Sequence, residues 1–409
     1  MNNIFITSID VLEVRHLANI HIALSDKEKK HLILTGKNGS GKTSVLNSIV
    51  EHLKYLTSND YKTQKQIETS ISNSKKQAEA CDNTEAGLLK KQELLNSQQY
   101  WEKKLSPWVS GTVLNCSTLA LLREKYLSGE FILAYYEDSR LFKVKESNHI
   151  EKYELKKVYG ISDHPSLDFS KYLVNLKAKQ SFANNEGKTE IADKLSTWFD
   201  NFQDVLRNIY DEPSLRLDFD IDNFKFNILV DGRQPFDFNT MSQGYSAVFS
   251  IICDLMMRME SKQRYDMEGI VLIDEIETHL HVELQKKIVP SLIKMFPNLQ
   301  FILTTHSPFI LNSVPNSVVC DLEKKVIVEE GLTNLPYSGI VEGYFDTKET
   351  SQELESKMNE YREISAKKEK TVMDRIRMKE LEIYLDEIPD FLALDIATEY
   401  QRLKSESNG

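Results

Sequence analysis

The chain has 409 residues, enough for two or three domains, and its 41% hydrophobic residues can bury a large core without staples. A formal net charge of −11 denies it a whole-molecule positive field, so any nucleic-acid contact must come from a local patch or through a partner. Four cysteines, Cys81, Cys116, Cys253 and Cys320, stand far apart with no C-x-x-C spacing, which argues against a zinc site and a disulfide framework and suits a reducing compartment.

The opening MNNIFITSIDVLEVRHL lacks the basic region and apolar core of a signal peptide, and no window approaches the roughly 18 apolar residues of a membrane span. A soluble, cytoplasmic protein with no membrane partner is expected. Residues 3 to 24 alternate as short strands, Ile4–Phe5–Ile6 and Val11 to Leu17, then Ile20–His21–Ile22, before the charged turn Asp26 to Lys30. Arg15 and His16 either touch a nucleotide base or face solvent.

Leu32 to Val50 is an apolar strand running into a glycine-rich turn and a helix. Gly36, Gly41, Lys42 and Thr43 fit G-x-x-x-x-G-K-[ST], the loop whose backbone N–H groups wrap a phosphate chain. Glycines admit the backbone to the phosphates with no Cβ in the way, and the following helix aims its positive N-terminal end at them. Lys42 would reach the β- and γ-phosphates and the Thr43 hydroxyl would hold Mg²⁺. The context the motif needs is present: Ile33 and Leu34 before the loop, and Val45, Leu46, Ile49 and Val50 at helical spacing after it.

From Thr57 the composition turns to Lys, Gln, Glu, Ser and Asn, and the break at Cys81–Thr84 predicts an inserted helical hairpin over residues 57–106. A floppy polar insertion is the alternative, since the heptad pattern is poor. Beyond it, Thr112 to Asn115 and Phe131 to Tyr136 read as strands; Arg140 follows the second as a phosphate, interface or plain surface arginine. Residues 145 to 190 are polar and show no clear period. Ile191 to Tyr210 has helical apolar spacing, and Leu215 to Val230 alternates as a hairpin with Asp231-Gly232 as its turn. Asp218, Asp220 and Asp222 would share a solvated strand face.

Four further stretches follow in a fixed order. Asn239 to Ser246 contains Ser242 and Gly244 in an S-x-G turn before the apolar helix Val248 to Met259, a second helix N-terminus able to meet an anion. Gly269 to Glu275 is an unbroken apolar strand ending in Asp274 and Glu275, so it delivers two carboxylates at its C-terminal edge. Ile276 to His281 follows as IETHLH. Leu299 to Leu303 is another apolar strand, leading into Thr304-Thr305-His306-Ser307-Pro308.

Taken together, these motifs resemble the RecF/SMC-like ABC ATPases, and DExExHLH resembles their overcoming-lysogenization-defect (OLD) branch. The resemblance covers residues 1–56 and 107–325. It implies an α/β fold: an ABC-type P-loop ATPase head, with a mainly parallel core sheet and an antiparallel β subdomain, carrying the helical hairpin and a mostly helical C-terminal extension over 326–409. It implies ATP and Mg²⁺ as cofactors, phosphate contacts from Gly36, Asn38, Gly39, Ser40, Gly41, Lys42, Thr43 and Ser44, and metal contacts from Thr43 and Asp274. Glu275 would polarise the attacking water, and His306 would be the switch histidine on the γ-phosphate. Ser242 and Gly244 would cap the nucleotide of a second subunit, so that ATP closes a dimer. Gln243 and Tyr245 depart from the transporter signature, and no glutamine outside the insertion fits a Q-loop.

OLD-type nucleases continue into a TOPRIM domain with an Asp-x-Asp metal site; the residues after Ser307 contain none, so no nuclease is expected in this chain. Residues 348 to 404 read as charged helices with Met358, Ile364, Val372, Ile376, Leu381, Tyr384 and Leu385 as contacts, and Ile383–Leu385 and Phe391–Ile396 either dock a partner or cover the core. The layout is similar to the standalone ATPases of bacterial anti-phage modules. That similarity implies a slow ATPase acting as a sensor or regulatory subunit, in a homodimer or higher homo-oligomer, controlling a separate nuclease of HNH or TOPRIM type. Nucleic acid would be met through that complex. A RecF-like repair ATPase binding DNA directly and an ATP-binding scaffold without hydrolysis are the alternatives.

Overall fold

A computed structural model describes residues 3–58, 61–82, 84–105, 111–140, 143–145, 149–335, 339–340, 352–367, 369–386 and 399–404. The chain forms two compact units, Met1–Asn334 and Leu335–Gly409. The first takes in the strand Val326–Val328 and so runs past the 325/326 boundary expected from sequence.

The first unit opens with a hairpin, β1 (Ile6–Val14) and β2 (Leu17–Ala23), turning at Arg15 with φ 54°. The two short strands read from sequence are therefore one nine-residue strand, because β1 pairs along its length with β2 on one side and β4 (Thr112–Cys116) on the other. Arg15 and His16 form the exposed turn.

The central sheet has six strands, β3 (His31–Thr35), β5 (Phe131–Tyr136), β9 (Glu268–Ile273), β10 (Leu299–Thr304), β11 (Ser317–Asp321) and β12 (Val326–Val328). Their spatial order is β12-β11-β3-β10-β9-β5, parallel throughout except for the antiparallel edge β12. Every residue of β3, β5, β10 and β11 is buried, as expected of parallel strands covered on both faces, and this is why apolar residues dominate them. One face packs Leu32, Leu34, Leu272 and Ile302 against Val45, Leu46 and Ile49 of α1 (Lys42–Thr57) and against β1 and β2. Gln300, fully buried on β10, joins the two sheets: its amide nitrogen donates to Ile6 O and Lys30 O, and its oxygen accepts from Ile6 N.

The insertion is a helical hairpin, α2 (Tyr61–Glu79) packed on α3 (Glu85–Leu105), each arm roughly 30 Å long at about 1.5 Å per residue. Two helices that the sequence reading did not find follow: α4 (Leu119–Ser128) and α5 (Phe169–Asn185), the second in the stretch with no clear period. Buried side chains lie nearly all around α5, among them Phe169, Tyr172, Leu173, Val174 and Leu176, so it carries no single apolar stripe. Next come α6 (Thr189–Tyr210), whose Trp198 stacks on its own Phe202, and the small sheet β6 (Arg216–Asp220), β7 (Lys225–Leu229) and β8 (Phe236–Asp237). The single hairpin read from sequence is thus two. The first turn falls at Phe224, φ 50°, where Asp220 accepts from the N–H groups of Asp222 and Asn223. Asp222 therefore lies in a turn and not on the strand face with Asp218.

The long apolar helix α7 (Gln243–Glu260) is fastened to β5 by a buried knot. Asp254 accepts from Tyr136 Oη at 2.8 Å and from Arg258 Nε at 2.7 Å, while Arg258 donates to Leu133 O and Gly160 O. With Asp254 and Arg258 both almost without solvent, the pair is held by satisfied hydrogen bonds on every side, the condition under which a buried ion pair is tolerated. Helices α8 (Val282–Met295) and α9 (Pro308–Ser313) complete the unit.

In the second unit, helices Gln352–Ser365 and Val372–Asp386 pack through Met358, Tyr361, Ile364, Met378, Leu381 and Leu385, with Tyr400 against them. Arg362 holds Glu399 through two hydrogen bonds at 3.0 and 2.7 Å. Val372 and Ile376, expected as contacts, are instead 75% and 52% exposed, because Met378, Leu381 and Leu385 define the inner face. The expected cluster Phe391–Ile396 lies outside the described residues. No described helix is long and apolar enough to cross a membrane.

Candidate nucleotide site

The parallel register brings the C-terminal ends of β3, β9 and β10 to one edge of the sheet, and the expected residues of the phosphate loop, the acidic pair and the histidine arrive there together. Gly36, Gly39 and Gly41 have φ of 132°, 84° and 99°, values that L-residues avoid. A Cβ on Gly36 would come 2.8 Å from Ser40 Oγ, and one on Gly41 would meet Leu17, just past the β1–β2 turn, at 2.7 Å. The loop is thus fitted against that turn, which places His16 beside it. Helix α1 starts directly at Lys42, so the N–H groups of Lys42, Thr43 and Ser44 precede the first intrahelical acceptor and remain available to an anion.

Lys42 is 4% exposed, and its ammonium donates to Gly36 O and Lys37 O at 2.9 and 3.1 Å, curled over the loop that the phosphates would fill. Burial lowers its pKa, opposed by Glu275, Glu277, Asp274 and Asp321. Thr43 Oγ1 lies 3.3 Å from Asp274 Oδ1. These two oxygens suit a Mg²⁺ that keeps water and phosphate as its other ligands, a mode that needs few protein groups. Among the described residues no cluster of three or more His, Cys, Asp or Glu could hold a metal by itself, and His279 and His281 are exposed. Ser40 Oγ and Thr35 Oγ1 are buried without partners, so the loop retains unspent polar groups where ATP would lie.

Asp274 is 2% exposed and accepts from Thr304 Oγ1 at 2.5 Å, while the same hydroxyl accepts from Glu275 N at 2.7 Å. Glu275 has φ 42°, a left-handed conformation that costs a non-glycine residue about 1–3 kcal/mol and persists only when its surroundings enforce it. Its carboxylate is half-exposed, 3.8 Å from His306 Nε2. That separation is too long for a hydrogen bond, and the imidazole nitrogen is buried with no partner. Burial, then Lys42, lowers the His306 pKa, so the ring is neutral at pH 7 and can donate to or accept from a phosphate or a water.

Three residues of this edge carry parts that the sequence did not assign. Glu277 accepts the His306 N–H at 2.5 Å. Thr304 bridges Asp274 and Glu275. Arg140 is buried and donates to Asp274 O, Glu275 O and Glu137 O, so it is no surface arginine. Burial lowers its pKa to about 10, with Glu277 and Asp274 opposing, and it keeps its charge at neutral pH. Thr304 and Glu277 were visible in TTHSP and DExExHLH, but only the pairing of β9 with β10 gives them partners.

Ser242 and Gly244 stand apart from this edge. Ser242 is the exposed N-cap of α7 and makes no side-chain cap bond. Gly244 packs on the segment after Glu275, since a Cβ there would lie 2.8 Å from His279 O. Among the described residues no hydrogen bond or ion pair joins residues 242–244 to the phosphate loop.

This sheet order, with a glycine-rich loop after β3 and an acidic pair after β9, is the arrangement of a P-loop nucleotide-binding domain. The family described as "AAA domain, putative AbiEii toxin, Type IV TA system" matches residues 125–312. The chain is 26% identical over 365 residues to the retron Vc95 probable ATPase of Vibrio cholerae serotype O1 biovar El Tor, covering 73% of this chain and 70% of that protein. It is 43% identical over 83 residues to Septu protein PtuA of Bacillus mycoides strain KBAB4, covering 20% of this chain and 12% of that one. It is 35% identical over 113 residues to the retron Ec83 probable ATPase of Escherichia coli, covering 26% and 21%. The last two matches span far less than two thirds of those relatives. A solved SMC head is similar at TM-score 0.39 and 12% identity, over 79% of this chain and 96% of that one. Residues 125–312 thus match that AAA-domain family model, and over about three quarters of its length the chain is similar to a retron ATPase.

Proposed function

We propose that the chain is an ATP-binding and slowly ATP-hydrolysing regulatory subunit of an anti-phage defence system, which controls a separate nuclease through a nucleotide-sandwich dimer. The observation that carries this reading is a division of the machinery. Lys42, Thr43, Asp274, Glu275 and His306 meet on one sheet edge, whereas Ser242 stands exposed with no bond to that edge. The names of the relatives supply the defence context.

In this reading Gly36 to Ser44 wrap the phosphates through backbone N–H groups, and Lys42 neutralises the β- and γ-oxygens. Thr43 and Asp274 hold Mg²⁺, which when bound offsets developing phosphate charge. Glu275 orients and polarises the attacking water, and the neutral His306 hydrogen-bonds the γ-phosphate. Catalysis is positioning and charge stabilisation, as phosphoryl transfer requires. Ser242 and the α7 N-terminus of one copy close over the phosphate of the other, so the dimer reports nucleotide state to the nuclease.

The test is mass in solution with and without ATP, together with ATP turnover and DNA cleavage after copurification with the product of the adjacent reading frame. Expected are an ATP-dependent dimer in Glu275→Gln, slow turnover by the wild type, and cleavage that changes with nucleotide. A Glu275→Gln protein that binds ATP and stays monomeric would overturn the sandwich.

A further inference from the structure

Arg140 is a cation buried at the C-terminal edge of the central sheet, and its guanidinium donates to main-chain carbonyls. Nη1 donates to Asp274 O at 2.6 Å and Glu137 O at 3.0 Å, and Nη2 donates to Glu275 O at 2.9 Å. Its Nε is buried without a partner. Merely tying a strand end does not require a guanidinium, because burying a charge is costlier than burying a neutral amide that could accept and donate there. What the fork does is grip two successive carbonyls, those of the acidic pair, at the residue where φ turns left-handed.

The Glu275 backbone is held from its other side as well. Its N–H donates to Thr304 Oγ1 at 2.7 Å, and that hydroxyl also bonds Asp274 Oδ1. With N–H fixed by Thr304 of β10 and C=O fixed by Arg140 in the loop that follows β5, the direction in which the carboxylate leaves the main chain is set by Thr304 and Arg140 together. Neighbouring Tyr136 receives the Asp274 N–H on its carbonyl at 2.8 Å, which keeps the end of β5 in register beneath this grip.

We infer that Arg140 is a positioning residue for hydrolysis, one that holds the Glu275 carboxylate in its water-polarising direction by clamping the carbonyls of Asp274 and Glu275. It acts through the main chain, by way of the Asp274 and Glu275 carbonyls. This rests on the ATPase reading above.

The experiment compares ATP turnover and ATP affinity of the wild type, Arg140→Lys, Arg140→Ala and Lys42→Ala, with and without millimolar guanidinium chloride. Arg140→Ala is expected to lose about 100-fold in kcat with Kd for ATP changed by no more than about twofold. Arg140→Lys loses less, since an ammonium reaches one carbonyl without the planar fork. Guanidinium ion restores part of the Arg140→Ala turnover and leaves the wild type unchanged. Unchanged kcat in Arg140→Ala, or Kd weakening in step with kcat, overturns the inference, as does a loss that guanidinium never relieves. If Arg140→Ala does not fold, Arg140→Lys decides alone: lowered kcat at constant Kd supports positioning, and any other pattern overturns it. A wild type no faster than Lys42→Ala instead removes the ATPase reading and this inference with it.

Discussion

The phosphate-loop edge and the signature turn belong to one chain but differ in completeness. At the loop, groups from the start of α1 and the ends of β9 and β10 are already hydrogen-bonded to one another: Thr43 with Asp274, Asp274 with Thr304, and the His306 main chain with Glu277. At the signature turn, Ser242 and Gln243 are exposed, while Gly244 packs against His279. The first is assembled by sheet register. The second is an exposed helix N-terminus, which in the proposed function closes over the nucleotide of another copy.

Mutations sort by which side they strike. Lys42→Ala should have the largest effect, abolishing ATP binding by calorimetry and with it all turnover. Glu275→Gln should lower turnover by about 100- to 1,000-fold while calorimetric affinity stays intact; equal loss of both would mean that the acidic strand end binds and does not catalyse. Ser242→Arg should leave the melting temperature and monomer affinity for ATP unchanged, since the side chain is exposed, yet cut turnover by about tenfold or more by blocking the facing phosphate. If Ser242→Arg weakens ATP binding to the monomer, the division between the two sides fails.

A milder test concerns pH. His31, at the start of β3, accepts the Phe301 N–H on Nδ1 at 3.0 Å, and burial pushes its pKa down to about 3. Because the folded value lies below the 6.5 of a free imidazole, the unfolded chain binds the proton first. Stability is full above pH 6.5 and drains as pH falls toward 3, by at most about 1.4 kcal/mol per unit. His31→Asn, which keeps an acceptor near Phe301 N, should flatten the melting temperature between pH 7 and pH 5. The smallest effect is expected in the second unit: Val372→Ser and Ile376→Ser, on exposed positions, should shift stability by no more than about 0.5 kcal/mol.

What could be read from sequence was what is local. The run Ile270–Ile273 and the glycines at 36 and 41 announce a buried strand and a phosphate loop because period and spacing lie within one segment. Arg140 could not be assigned: its partners lie 134 and 135 residues away and are main-chain atoms, which no residue pattern encodes. Helix α5 was missed because burial on nearly all sides erases the amphipathic stripe, and Val372 was misplaced because a charged helix offers two competing apolar rows. The turn inside residues 215–230 escaped because Ile221 and Phe224 continue the alternation through it.

Helix α1 begins in the phosphate loop at Lys42 and ends at Thr57, where the inserted arms begin. Tyr55 Oη donates to Glu68 of α2 at 2.6 Å, and Arg123 of α4 donates to Leu56 O and Ser58 O at that same end. The insertion is thus attached to one end of a rod of about 24 Å, at roughly 1.5 Å per residue, whose other end is the phosphate loop. Because the opposite end of this rod carries Lys42, the insertion is a natural place to attach a reporter of nucleotide state.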